Sequence, residues 1–226
     1  MIYIIFIGIA LLSYVVQESL RSKFQRYSRV PLGGAMRGQD VARKMLADSR
    51  ITDVQVTSTR GTLTDFYNPA NHTVNLSDGV YATNSVAAAA VAAHECGHAV
   101  QHAYGYAPLR LRTALVPAVE FASQWVTWVL LAGILLVNVF PAILGVGVAL
   151  FAITTLFSLV TLPVEIDASR RAIQWLEWSG ITHGETTEMA KDALRSAAYT
   201  YVVAALGSLA TLIYYALILL GGSRRD

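Results

Sequence analysis

Four apolar runs, separated by two long polar stretches, organise this chain. The first, "MIYIIFIGIALLSYVV", covers residues 1–16. As a helix it would be roughly 24 Å long, slightly short of a bilayer core of about 30 Å, a difference that tilt or local thinning absorbs. No basic residue precedes it and no small-x-small cleavage pattern follows, so it reads as a retained anchor and not as a cleaved signal. The second and third runs, 114–137 and 142–164, are joined by the uncharged link "NVFP", which predicts an antiparallel transmembrane hairpin. The fourth, 197–220, carries tyrosines near both ends, as an aromatic belt places them, and stops at "GGSRRD".

Composition agrees with the pattern. The chain is 54% hydrophobic and 14% charged, where a soluble domain carries about a quarter charged residues. A net charge of +2 is too small to point to nucleic acid. One cysteine, Cys96, excludes an internal disulfide and a four-cysteine zinc site. The basic residues are unevenly placed. Eleven lie between the first and second runs and four more, Arg170, Arg171, Lys191 and Arg195, between the third and fourth, with Arg224 and Arg225 alone beyond the last. By the positive-inside rule both polar stretches, 17–113 and 165–196, are cytoplasmic and both termini lie outside.

The first polar stretch reads as a small α+β unit. "GQDVARKMLADS" sets Val41, Met45 and Leu46 at helical spacing. "VQVTS" and "LTDFY" alternate as half-buried strands do, "NPANH" is a turn, and "TVNLS" is a returning strand that could offer an edge to an extended substrate. From Ser85 to about Tyr104 the chain is alanine-rich and reads as one central helix, with an apolar part too short to span a membrane.

That helix carries "AAHECGHAVQHAYGY". His94 and His98 are four apart, so their imidazoles converge on one face, with Glu95 beside them where it can take a proton from a metal-bound water. A chance occurrence would leave these groups buried without partners, which is costly. Zinc accepts two imidazoles, one carboxylate and one open position. His102 lies two turns from His94, about 12 Å along the axis, too far to close the same ion, and reads as a supporting or packing residue. The place six after His98 holds Tyr104, so a longer three-histidine motif is absent. Glu120, Glu165 and Asp167 are candidates for a third ligand. Glu165 and Asp167 could instead form a helix-end pair with Arg170 and Arg171, and Glu120 could pair with Arg112. Cys96 reads as a small core residue pointing away from the metal.

The motifs "GQDVARKML", "LTDFYNPANHTVNLSDGVY", "AAHECGHAVQHAYGYAPLRLR", "LPVEIDASRRA" and "AAYTYVVAAL", in this order, resemble the YugP-like neutral zinc metallopeptidases of bacterial membranes, a family similar to the HtpX-type gluzincins. The resemblance covers nearly the whole chain. It implies a mainly α membrane protein, with four transmembrane helices and a small cytoplasmic zincin-like α+β domain built on the HExxH helix. It implies His94, His98 and Glu165 as ligands of Zn2+, and Glu95 as the general base of peptide-bond hydrolysis in a bacterial-type plasma membrane, which the placement of the basic residues would set at the cytoplasmic face. Where the HtpX-type pattern has an aspartate four after the ligand glutamate, this chain has Ser169, with Asp167 the candidate substitute.

The implied partners are a membrane-associated polypeptide substrate and the bilayer, and the sequence leaves room for an oligomer or a regulatory membrane partner. A catalytically inactive zinc-binding scaffold is the alternative. A transporter ranks below both, because no internal repeat is present.

Overall fold

The computed structural model describes residues 2–222; Met1, Arg224 and Arg225 lie outside the described residues. Four helices are long and apolar enough to cross a membrane. They are α1 (Ile2–Tyr27), α5 (Ala107–Leu135), α6 (Pro141–Trp178) and α7 (Glu185–Gly222). Between α1 and α5 come α2 (Gly38–Asp48), strands β1 (Gln55–Thr59), β2 (Phe66–Asn68) and β3 (Thr73–Ser77), the single turn α3 (Asp78–Tyr81), and α4 (Val86–Ala103).

Each apolar run is part of a longer helix. α6 has 38 residues, roughly 57 Å at 1.5 Å per residue, nearly twice a bilayer core. Polar helix formers carry the backbone hydrogen bonding past the apolar boundary, so α1 runs beyond Val16 and α6 beyond Val164. The second polar stretch is therefore mostly the projecting ends of α6 and α7, joined by a short turn. α1 and α7 pack antiparallel: Phe6 meets Tyr214 edge-on at 5.5 Å, while Lys23 binds Asp192 at 2.7 Å. Exposed Ile7, Leu11, Trp128, Leu135 and Leu217 leave an apolar outer surface, as lipid-facing helices require.

The core of the non-spanning part surrounds α4. Ala88, Ala89, Ala90, Ala92 and Ala93 are buried on every side, against Val41 and Met45 of α2, Val74 and Leu76 of β3, Leu176 of α6 and Leu194 of α7. A helix apolar all round belongs in a core, and small alanines let its neighbours approach closely. Ser85 caps its start by accepting the Ala88 amide at 3.1 Å.

The sheet order is β1-β3-β2, with β3 parallel to β1 and antiparallel to β2. This corrects the expectation that "TVNLS" offers a free edge: β3 is the central strand, paired on both sides. β2 is shorter than "LTDFY", because Leu63 takes a left-handed φ of 57° and the Asp65 carboxylate accepts from the Ser77 amide at 2.7 Å instead of continuing the ladder.

Candidate metal centre

α4 presents His94, Glu95 and His98 toward α6. Gly97 makes this approach possible: a Cβ there would sit 2.7 Å from the Ala168 carbonyl oxygen, closer than side-chain carbon and backbone oxygen can pack. The two imidazole rings stand edge to face with centroids 4.8 Å apart. Glu165 of α6 completes the group, with Oε2 3.2 Å from His94 Nε2 and 3.6 Å from His98 Nε2. One ligand atom from each residue lies within 4.8 Å of the others.

The far nitrogen of each ring is occupied. Ser169 Oγ lies 3.1 Å from His94 Nδ1, and Gln101 Oε1 lies 3.1 Å from His98 Nδ1. The orientation of the Gln101 amide follows from its other end, where Nε2 donates to the Val164 carbonyl at 2.8 Å and to Asp167 Oδ2 at 3.0 Å. Gln101 Oε1 can only accept, which favours the ring proton of His98 on Nδ1 and leaves Nε2 for a metal, and the Ser169 hydroxyl can accept from His94 Nδ1 in the same way. Two neutral Nε2 donors and one carboxylate, nearly enclosed, are the donor set that zinc takes. The residues fit the ion.

The sequence candidates separate cleanly. Glu165 joins the histidines, and its Oε1 faces Arg112 Nη1 at 3.4 Å. Arg112 therefore pairs with Glu165 and not with Glu120, which is exposed on α5 and away from the triad. Asp167 makes the expected pairs, held by Arg170 and by Arg171 Nε at 2.6 Å, but within α6 and not at a helix end, because α6 runs on to Trp178. Asp167 reaches Gln101 and not His94, so the substitution expected of it is filled by Ser169 itself. His102 is outside the triad: its Nδ1 meets the Tyr67 hydroxyl at 2.8 Å and its ring packs edge-on to His72. Cys96 points into the core toward the Ala42 carbonyl, and burial pushes its thiol up.

Glu95 is buried, and Oε2 accepts the Tyr67 backbone amide at 3.0 Å. Burial raises its carboxyl above the ordinary range, and the adjacent imidazoles oppose the shift. A cavity of about 460 Å³ opens over the triad, walled by Tyr67, Arg112, Val116, Phe157 and Tyr201. It thus joins β2 to α5, α6 and α7. Sequence reasoning did not assign Gln101, Tyr67 or Tyr201. Gln101 had a signal, since it lies three residues after His98 on the same helical face; the other two are brought in by tertiary packing.

The sequence profile of the family described as "Putative neutral zinc metallopeptidase" matches residues 2–220. A relative from Bacillus subtilis (strain 168), described as "Putative membrane protease YugP", is 40% identical over 220 residues, which cover 96% of this chain and 97% of the relative. No solved structure matches the chain. With nearly its whole length matched and two histidines and a glutamate gathered as zinc ligands would be, the chain belongs to the neutral zinc metallopeptidase family of membrane proteins.

Proposed function

We propose that this protein is an integral-membrane zinc endopeptidase in which His94, His98 and Glu165 hold the ion and Glu95 is the general base. The observation that carries the reading is the convergence of those three ligand atoms beside Glu95, at the floor of a cavity large enough for part of a peptide. Zinc held there supplies Lewis-acid chemistry, making water acidic enough to deprotonate near neutral pH and polarising a carbonyl.

The chain's own residues supply the rest. The Tyr67 amide fixes Glu95 through Oε2, which leaves Oε1 to accept the proton from water and pass it to the leaving amine. Arg112 balances the charge of Glu165 through Oε1, keeping Oε2 directed at the two imidazoles. β2 is an outer strand of the sheet and lines the cavity, so an extended substrate would pair along β2. Val116, Pro117, Phe157 and Tyr201 bring three spanning helices to the cavity wall, which favours a membrane-associated polypeptide. The basic asymmetry of the sequence supports a site facing the cytoplasm.

Glu95→Gln tests the reading, because it keeps size and most hydrogen bonds but removes the basic oxygen. The variant is expected to keep about one zinc per chain, by the ligand set above, and to lose hydrolysis by roughly 10² to 10⁴. His94→Ala is expected to lose both zinc and activity. Wild-type cleavage by Glu95→Gln removes Glu95 as the general base, and no cleavage by the zinc-loaded wild type across membrane-protein substrates moves the assignment to a zinc-binding scaffold.

A further inference from the structure

α6 and α7 flank a second, open groove of about 460 Å³ where the two helices leave the apolar zone; it shares no lining residue with the cavity over the triad and touches the metal centre only through Ser169. Its α6 wall is Ile166, Ser169, Arg170 and Ile173, the i, i+3, i+4, i+7 stripe of one helical face. The α7 wall is a matching stripe from Lys191 to Val202. The helices run antiparallel, so the groove is graded along its length. Lys191, Arg195 and Arg170 occupy the end away from the apolar runs, with Ile173 and Leu194 between them, and Ile166, Tyr199 and Val202 the end that enters those runs.

Three cations line this groove and no carboxylate does. Arg170 and Lys191 each meet an acid outside it, Asp167 and Glu188, and Arg195 is exposed with no ion pair among the described residues. At the apolar end Ile166 is 48% exposed and Tyr199 51%. A ligand that suits both ends has an anionic head and an apolar tail. Basic pockets between spanning helices on the positively charged side of a membrane are where anionic headgroups bind, each cation there contributing about 1 kcal/mol, or roughly five-fold in affinity. We infer that the α6–α7 groove is a binding site for one anionic phospholipid, with its phosphate between Arg170, Lys191 and Arg195 and an acyl chain along Ile166, Tyr199 and Val202. This inference rests on the membrane placement of α6 and α7 and not on the peptidase reading.

The test uses full-length protein, delipidated in a neutral detergent, titrated with phosphatidylglycerol or phosphatidylcholine and followed by native mass spectrometry. Wild type is expected to retain phosphatidylglycerol in clear preference. The Lys191→Gln/Arg195→Gln double variant is expected to weaken it by about 25-fold, at five-fold per cation. Arg21→Gln, which removes an exposed cation of α1 outside the groove, is expected to bind as wild type. Ala198→Trp fills the groove at constant charge and is expected to block binding too. Unchanged thermal midpoints and monodisperse elution establish that the variants are folded. Equal retention of the two lipids, or phosphatidylglycerol binding unchanged in the folded double variant, overturns the inference. Displacement of the lipid by an equimolar amount of soluble glycerol 1-phosphate also overturns it, because the site then recognises free phosphate and not a lipid.

Discussion

Ser169 Oγ lies 3.1 Å from His94 Nδ1, at the position four residues beyond Glu165 where the HtpX-type pattern carries an aspartate. A hydroxyl can accept a hydrogen bond from Nδ1–H, as a carboxylate would, but adds no negative charge. Gln101 treats His98 in the same way. Both imidazoles thus face neutral oxygens on their far side, and the carboxylates near them are Glu95 and Glu165, the second oxygen of Glu165 facing Arg112.

Removing the Ser169 hydroxyl therefore frees the His94 ring to rotate and to change tautomer. Partners of this kind are worth 10- to 100-fold in metal affinity. Ser169→Ala is expected to weaken zinc at least about ten-fold in a chelator competition, within that range. Ser169→Asp, which supplies a stronger acceptor, is expected to bind zinc at least as tightly as wild type. Equal affinities for wild type and Ser169→Ala would remove this residue from the centre.

Gly97 sets how closely α4 approaches α6. The Cβ of Gly97→Ala would press on the Ala168 backbone at 2.7 Å, and backbone cannot rotate away as a side chain can. The helices must part, which costs about 1 to 3 kcal/mol as overpacking does, and separates the histidines from Glu165. The variant is expected to unfold at lower temperature and to lose zinc, although every ligand is still present. Cys96→Ala, at the neighbouring buried position, changes no ligand contact and is expected to keep zinc. Full zinc occupancy in Gly97→Ala would show that the close crossing is not needed.

The four apolar runs were legible because lipid-facing helices need uninterrupted apolar sequence, and α4 because an alanine-rich stretch too short to span a bilayer suits a buried helix. The helix ends were not. "QESLRSKFQRY" after Val16 is polar enough to leave a bilayer, yet it consists largely of helix formers, so hydropathy marks a change of surroundings and not of backbone. The strand order was also hidden, since local alternation in "TVNLS" says that one face is buried but not that both edges are paired. At the centre, His94, Glu95 and His98 declare themselves by spacing within one helix. Glu165 stands on another helix, and local sequence could not choose it over Glu120; the family resemblance pointed to it, and tertiary packing brings it to the histidines. Gln101 and Ser169 are ordinary residues by type, and only the rings they face reveal what they do.

The orientation of the polar face can be checked on β1. Ser58 is exposed on that strand, far in sequence from the ligands. Cysteine placed there by Ser58→Cys, with Cys96→Ala to remove the native thiol, is expected to resist a membrane-impermeant thiol reagent in whole cells and to react after lysis. The basis is the concentration of lysine and arginine in the two polar stretches. Ready labelling of intact cells would place the metal centre on the outer face.

The third ligand gives the sharpest test of the centre itself. Glu165 and Glu120 are both glutamates inside helices that carry apolar runs, so a purely local argument treats them alike. Their surroundings do not. Glu165 is 3% exposed, with one oxygen toward both imidazoles and the other toward Arg112. Glu120 is exposed on α5 and makes no ion pair among the described residues. A buried carboxylate with this many partners belongs to a built site, and an exposed one can be removed at small cost. Glu165→Ala is expected to lose zinc and to leave Arg112 without its partner, whereas Glu120→Ala is expected to keep about one zinc per chain, as a centre with three protein ligands requires. Glu165→Gln separates charge from shape: it preserves the packing against both rings, and is expected to fold with a near-normal thermal midpoint yet hold zinc weakly in the same chelator competition. Zinc retained by Glu165→Ala and lost from Glu120→Ala would move the centre into α5 and overturn the ligand set.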